Sequence, residues 1–231
     1  MKIIITRPLD EARILAKKLE ILGYQTILAP LLEIKFTKNV DFNQLYNYQA
    51  IIITSRNAIK AIAKVDKGLK LLILGKESYD YAKSLGFFNC IFVGENIEQL
   101  KNNILNYDNL LYLSGADVTD DLKSLKQKID RKIIYKAEQI INPSEELLGI
   151  IKQDQLKICL FLSARTAQAF ANIIVNNGLK QYCKSIISLT LSNKIAHNLE
   201  HLNFNACYVT QEATLNSLVN LINRVYNAHQ R

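Results

Sequence analysis

Short aliphatic runs alternate with polar stretches along the whole chain: Ile3–Ile5, Ala50–Ile53, Leu71–Leu74, Ile91–Val93, Leu110–Leu113, Ile158–Leu162, Ile186–Leu191 and Cys207–Val209. Each is rich in Ile, Leu and Val and lacks polar alternation, the pattern of a strand covered on both faces, so the runs predict buried parallel strands. Most are followed by helical spacing. In the first such helix, Pro8 suits the opening turn and Asp10 and Glu11 favour the positive end of the dipole. Ala12, Leu15, Ala16 and Leu19 share one face, and Gly23 supplies the stop. Strand, helix and strand thus follow in order from Lys2 to Ile34, which predicts a βαβ unit.

The pattern then repeats. Ile3-Ile4-Ile5-Thr6-Arg7 corresponds to Leu110-Leu111-Tyr112-Leu113-Ser114-Gly115, the run Ile51–Ala58 to Ile158–Ala167, and Leu72-Ile73-Leu74-Gly75 to Leu189-Thr190-Leu191-Ser192. Matched punctuation at a fixed period predicts two copies of one α/β unit. The expected architecture is two similar doubly wound parallel-sheet lobes, each a three-layer α/β/α arrangement, with a ligand cleft between them.

Composition narrows this picture. With 231 residues, 49% hydrophobic, 22% charged, eight glycines and three prolines, the chain has enough apolar material for a real core, which excludes a disordered or collagen-like protein. The net charge of +8 is split evenly between the two halves, against a basic nucleic-acid arm and toward a globular body with an anionic ligand. The tyrosines are scattered rather than interleaved with a basic patch, so no nucleic-acid partner is expected. No run approaches the roughly 18 apolar residues of a membrane span, and Ile3–Ile5 is too short for a signal peptide's apolar stretch. Cys90, Cys159, Cys183 and Cys207 lie far apart with no Cys-x-x-Cys pair, which suits free thiols in a reducing cytoplasm.

The candidate chemistry sits in the turns that follow the strands: Thr6-Arg7, Thr54-Ser55-Arg56-Asn57-Ala58, Gly75-Lys76-Glu77-Ser78, Ser114-Gly115-Ala116-Asp117 and Ser163-Ala164-Arg165-Thr166. At such turns free backbone N–H groups and the helix dipole favour an anion, and a hydroxyl adds a donor. Thr54, Ser55, Ser163 or Thr166 taken alone reads as a helix cap. Five such turns at one strand-end register point instead to a polyanion site. Gly75-Lys76-Glu77-Ser78 is not a phosphate-binding P-loop, because position 70 is Lys rather than Gly, and no Gly-x-Gly-x-x-Gly follows a strand. His197-Asn198-Leu199-Glu200-His201 spells an inverted zinc-protease pattern but lacks a third ligand on a further helix, so it reads as an exposed pair on a helix buried through Ile195, Ala196 and Leu199. With no persuasive catalytic histidine, chemistry would rest on hydroxyls, lysines or a phenol. Tyr135 stands out, late in the strand-like Lys132–Glu138 that continues toward Pro143, and it equally suits an ordinary strand aromatic.

Across nearly its whole length the chain resembles the uroporphyrinogen-III synthase family. The resemblance rests on Thr6-Arg7-Pro8, Ala12, Leu15, Leu19, Gly23, Pro30 and Ile34, then Thr54-Ser55 with Asn57-Ala58, Gly75 with Ala82, and Gly115 with Leu122. Tyr135, Ser163 with Ala167 and Phe170, and Ala196 complete it. Two departures stand out: Ser192-Asn193-Lys194-Ile195 replaces a turn that often carries Gly and Thr, and Gly115–Asp121 is unusually acidic, with Asp120 and Asp121 expected to start a helix facing solvent.

The resemblance implies that the two units exchange halves, so that residues 1–36 and 143–231 form one lobe, 37–142 the other, and two extended strands join them. It implies a lyase that cyclises hydroxymethylbilane, an octa-carboxylate linear tetrapyrrole, to uroporphyrinogen III with loss of water and inversion of the last pyrrole ring, in haem biosynthesis. Tyr135 would be catalytic, since a phenol keeps its proton at neutral pH, with a reference pKa of about 10. Arg7, Thr54, Ser55, Gly75, Lys76, Ser78, Gly115, Ser163, Arg165 and Lys194 would bind the substrate. No metal and no cofactor are expected, and no partner beyond the small-molecule substrate: a cytoplasmic monomer, without nucleic acid or membrane. The alternative is a two-lobed module that binds an anionic small molecule without chemistry.

Overall fold

The computed structural model describes residues 1–118, 120–125 and 128–229. In chain order its elements are β1 (Lys2–Ile5), α1 (Leu9–Ile21), β2 (Gln25–Leu28), β3 (Leu32–Phe36), β4 (Ala50–Ile53), α2 (Arg56–Ala61), β5 (Leu71–Leu74), α3 (Lys76–Ser84), β6 (Cys90–Gly94) and α4 (Ile97–Ile104). They continue with β7 (Asn109–Gly115), β8 (Lys128–Gln139), α5 (Glu145–Lys152), β9 (Lys157–Phe161), α6 (Ala164–Asn176), β10 (Ile186–Thr190), α7 (Asn193–His197), β11 (Ala206–Val209) and α8 (Leu215–Ala228). Every aliphatic run singled out in the sequence lies in or overlaps a strand. The chain divides into two compact units, Met1–Glu33 with Glu138–Arg231, and Ile34–Ala137.

In the first unit the strands run β11-β10-β9-β1-β2, all parallel, with Ile3 opposite Thr26 and Ile158. The pleat sends alternate residues to opposite faces. Ile3, Ile5, Ile158 and Leu160 pack under α1 and α8, whereas Ile4, Cys159, Phe161 and Ile186 pack under α5, α6 and α7. A strand needs an unbroken aliphatic run because both its faces are covered. Helix α1 buries the predicted stripe Ala12, Leu15, Ala16 and Leu19. It ends where Gly23 takes a φ of 87°, a left-handed conformation that a side chain disfavours, and donates its N–H to the Glu20 carbonyl.

The second unit's sheet is ordered β3-β8-β7-β4-β5-β6, with β8 through β6 parallel. As β3 and the residues beside it climb from Leu31 to Thr37, their hydrogen-bonding partners descend from Ile140 to Ile134, so β3 and β8 run antiparallel. If β8, β7, β4, β5 and β6 are laid over β2, β1, β9, β10 and β11, both sheets have one order, and the pairs β1/β7, β4/β9 and β5/β10 are those the sequence repeat named. Helices α2, α3 and α4 then stand where α6, α7 and α8 stand in the first unit.

One equivalence breaks. The first unit carries α1 between β1 and β2, but residues 116–125 between β7 and β8 hold no helix among the described residues. The helix start expected at Asp120-Asp121 is instead a pair of turns, with Asp120 accepting the Leu122 N–H at 2.8 Å and Asp121 that of Lys123 at 3.1 Å. Such local carboxylate acceptance competes with helix formation. Leu122, buried at a φ of 61°, covers the sheet face next to Tyr112 in the helix's place. Thr119 of this acidic turn lies outside the described residues. The helix expected across His197–His201 also stops early: α7 ends at His197, whose Nδ1 pairs with Glu200 at 3.0 Å on the exposed surface. The strands β6 and β11 border their sheets and are only partly buried, not sealed on both faces.

Candidate active site

In doubly wound sheets a ligand binds beyond the carboxyl ends of the strands, where neighbouring connections leave in opposite directions. In the second unit that point lies between β4 and β7. A cavity of about 380 Å³ opens there, lined by Thr54, Ser55, Leu74, Ile97, Tyr112, Asp117, Val118, Asp120 and Tyr135. It lies over the face where the first unit carries α1, so the missing helix leaves the space.

Three candidate residues converge on this cavity: Thr54, Ser55 and Tyr135. Ser55 follows β4 and caps α2, accepting the Asn57 N–H at 3.2 Å. The cap reading therefore holds for Ser55 even though it faces the cavity. Thr54 Oγ1 lies 2.8 Å from the phenolic oxygen of Tyr112. Tyr135 is half-buried on β8 and meets Phe36 edge-on at 6.5 Å between ring centroids. Gly115, which ends β7, stands beside Tyr135 in register. A methyl group on Gly115 would lie 2.7 Å from the tyrosine ring, so glycine there admits the ring. Gly75 caps α3 at a φ of 85° and donates to the Gly94 carbonyl at 2.8 Å; Lys76 beside it is exposed and Ser78 is buried.

The other candidates belong to the first unit. Both Nε and a terminal nitrogen of Arg7 reach one Glu11 oxygen, at 2.9 and 2.5 Å, so an anionic ligand there would have to compete with Glu11. Ser163 caps α6 by accepting the Thr166 N–H at 3.2 Å. Arg165 follows on the same helix, half-buried, and Lys194 is exposed on α7. The five turns thus divide between two sheets, two on the first unit and three on the second.

Tyr112 in the lining and Arg131 behind it were not singled out in the sequence. Tyr112 read as one more large residue in an aliphatic run; it is 1% exposed, yet its hydroxyl end reaches the lining. Burial pushes its pKa above the ordinary phenol value, so the phenol keeps its proton. Arg131 on β8 holds the end of β7, donating to Ser114 Oγ at 2.8 Å and to the carbonyls of Gly115 and Ala116 at 2.8 and 2.9 Å. Its partners are mostly backbone oxygens at a register shift, which no side-chain pattern announces. Asp120 pairs with Lys101 of α4 at 2.5 Å, and the two partners shift each other's protonation: the ammonium holds the carboxyl below its usual range, and the carboxylate raises the lysine. No group of three or more metal-ligating side chains occurs among the described residues, nor any helix long and apolar enough to cross a membrane.

Fold and site define a class: a two-unit α/β protein with repeated doubly wound topology and a hydroxyl-lined ligand cavity at a carboxyl sheet edge. A family model described as uroporphyrinogen-III synthase HemD matches residues 14–220. The chain belongs to this family, whose members are lyases that cyclise hydroxymethylbilane. It is 24% identical over 242 residues to the porphyrin biosynthesis protein HemD of Ruminiclostridium josui, a match covering 94% of this chain and 47% of that protein. The chain therefore spans about half the length of that relative. Its fold is similar to that of the uroporphyrinogen-III synthetase of Helicobacter pylori 26695, with a TM-score of 0.66 at 14% identity over 97% of this chain and 99% of the other. A mutant uroporphyrinogen III synthase of the extremely thermophilic bacterium Thermus thermophilus follows at a TM-score of 0.50, 14% identity, and coverage of 99% and 100%.

Proposed function

We propose that this chain converts hydroxymethylbilane to uroporphyrinogen III, with loss of water and inversion of the terminal pyrrole ring. The observation that carries the reading is the meeting of Thr54, Ser55, Tyr112 and Tyr135 in one cavity, in a chain whose family performs this cyclisation. The substrate's own pyrrole nitrogens can expel the hydroxyl, leaving an electrophilic methylene carbon. Attack at the already substituted position of the last ring gives a spiro intermediate, which fragments and recloses. The protein then has to hold the chain folded and to donate a proton to the departing oxygen.

Tyr135 is the proposed donor. Arg7, Lys76, Arg165 and Lys194 are proposed to take carboxylate arms, with Ser78, Ser163 and the backbone N–H groups that follow Gly75 at the start of α3 contributing donors. The enzyme is proposed to act as a cytoplasmic monomer without metal or cofactor and without nucleic-acid or membrane partners. Its thiols support a reducing compartment, since all four cysteines are free. The test is to supply freshly generated hydroxymethylbilane to the purified chain and separate the cyclised isomers by chromatography. Predominance of the inverted isomer is expected. A product mixture identical to that of the protein-free reaction would overturn the reading.

A further inference from the structure

The cavity of the second unit has an unexpected lining for a protein that handles a polyanion. Among the described residues its walls contain four hydroxyl-bearing residues, three aliphatic side chains and two acids, Asp117 and Asp120, and no lysine or arginine. A carboxylate arm placed there would face Asp117 and Asp120, and Lys101, the cation bound to Asp120, is already engaged by it, an arrangement that disfavours the arm. The uncharged hydroxymethyl end of a pyrrole, which becomes positive as its hydroxyl leaves, fits the same walls.

Within this lining the pair Tyr112 and Thr54 is built to present one proton. Tyr112 is 1% exposed, and its oxygen lies 2.8 Å from Thr54 Oγ1. A phenol is a better donor and a poorer acceptor than an aliphatic alcohol, so the favoured arrangement has Tyr112 donating to Thr54. The Thr54 hydroxyl is then left to direct its own hydrogen into the cavity, and accepting from a phenol makes it a stronger donor.

We propose that Tyr112 is a positioning residue for the dehydration step, acting through Thr54, and that this cavity receives the hydroxymethyl-bearing end of the bilane rather than a carboxylate arm. This rests on the reading of the chain as a hydroxymethylbilane cyclase. In the step, the carbon–oxygen bond breaks with its electron pair leaving on oxygen, while a pyrrole nitrogen lone pair moves in to form the exocyclic double bond. The Tyr135 phenol protonates the oxygen, which departs as water. Thr54, held by Tyr112, donates a hydrogen bond to that oxygen as charge builds on it. The proton lost when the last ring regains aromaticity is returned to the tyrosinate, so the cycle closes without any other reactant.

The test uses the full chain with Tyr112→Phe, which keeps the buried ring and removes only the hydroxyl, together with Thr54→Val, Thr54→Ser and the double variant Tyr112→Phe/Thr54→Val. Expected, with KM unchanged within about twofold, is a fall in kcat of roughly a hundredfold or more for Thr54→Val, the range for loss of a transition-state donor, and of roughly tenfold or more for Tyr112→Phe, which leaves that donor present but unheld. Thr54→Ser should restore most of the rate, and the double variant should be no slower than the slower single one, because the two residues act as a unit. A Tyr112→Phe chain with wild-type kcat, or with raised KM and unchanged kcat, would overturn the proposal while leaving the cyclase reading intact. Failure of the wild-type chain to form the inverted isomer would overturn both.

Discussion

Gly115 and Tyr135 occupy one space: a methyl group on Gly115 would come within 2.7 Å of Cε2 and Cζ of the tyrosine and 2.9 Å of its hydroxyl oxygen. The two strands are paired here, at a register shift between Ser114 and Gly115. Arg131 fixes the shifted end of β7 by binding its last carbonyls. On its β7 side the phenol is thereby held against the backbone of Gly115, which leaves it no room to drift toward β7.

Gly115→Ala should therefore displace the Tyr135 ring while preserving the fold, since the backbone at 115 is not in the left-handed region. Overpacking of this kind costs about 1–3 kcal/mol, and a displacement of about 1 Å at a catalytic group costs on the order of a hundredfold in rate. The expected outcome is a modestly lowered melting temperature with kcat reduced roughly a hundredfold. Rates and melts measured together on the one variant check it, and wild-type turnover would show that the close approach has no catalytic purpose.

The two-unit architecture was legible because parallel strands buried on both faces must be continuous aliphatic runs, and the repeat could be aligned on them. Ile3–Ile5 and Leu110–Leu113 end up as equivalent strands for that reason. The break in the repeat was not legible: nothing in Asp120-Asp121 distinguishes the first turn of a helix from two carboxylates that accept local N–H groups, and the second outcome opens the cavity. Thr54 and Ser55 could be singled out because hydroxyls at strand ends carry a mechanism, and Tyr135 because a chain without a persuasive catalytic histidine turns to a phenol. Tyr112 could not, because a tyrosine inside an aliphatic run has the signature of core, and only tertiary placement brings its hydroxyl to Thr54.

The carboxylate arms should separate from the chemistry in kinetics. Arg165→Ala and Lys194→Ala remove cations from the first unit and leave the hydroxyl-lined cavity of the second untouched. Each should raise KM by roughly fivefold, on the scale of about 1 kcal/mol for a charge contact within reach of solvent, with kcat unchanged. The wild-type advantage should shrink as salt is added. Steady-state kinetics at low and high ionic strength measure both effects, and an unaltered KM in both variants would remove these residues from the binding surface.

The Asp120–Lys101 pair gives the turn after β7 a defined pH dependence. Asp120 is held below the usual carboxylate range, first by the Lys101 ammonium and then by the Leu122 N–H. Because the folded value lies below the unfolded one, the group's contribution to stability is complete above about pH 4 and fades as the pH falls through the folded value. Asp120→Asn should melt lower than wild type at neutral pH, and the two melting curves should converge as the pH falls through the folded value of Asp120. Since both partners are only partly buried, the gap at neutral pH should be small and should narrow with salt. A gap that persists undiminished at low pH would mean that the pair does not stabilise the turn.

Ser188 poses a different question, about stability rather than catalysis. It lies at the centre of β10, fully buried opposite Cys159, and its hydroxyl has no hydrogen-bond partner among the described residues. A buried hydroxyl without a partner carries a desolvation cost of about 1–3 kcal/mol, whereas alanine of nearly the same volume fits the same strand with no polar atom to satisfy. Against this stands only the loss of the small volume of one oxygen atom and a slightly poorer strand propensity, each worth less than the hydroxyl's cost. Ser188→Ala should therefore raise the free energy of unfolding by about 1 kcal/mol, read as a higher urea midpoint at unchanged slope. A midpoint lowered by the substitution would instead imply that the hydroxyl is satisfied by a water molecule held in the sheet, a difference that a crystal structure of the wild-type chain would display directly.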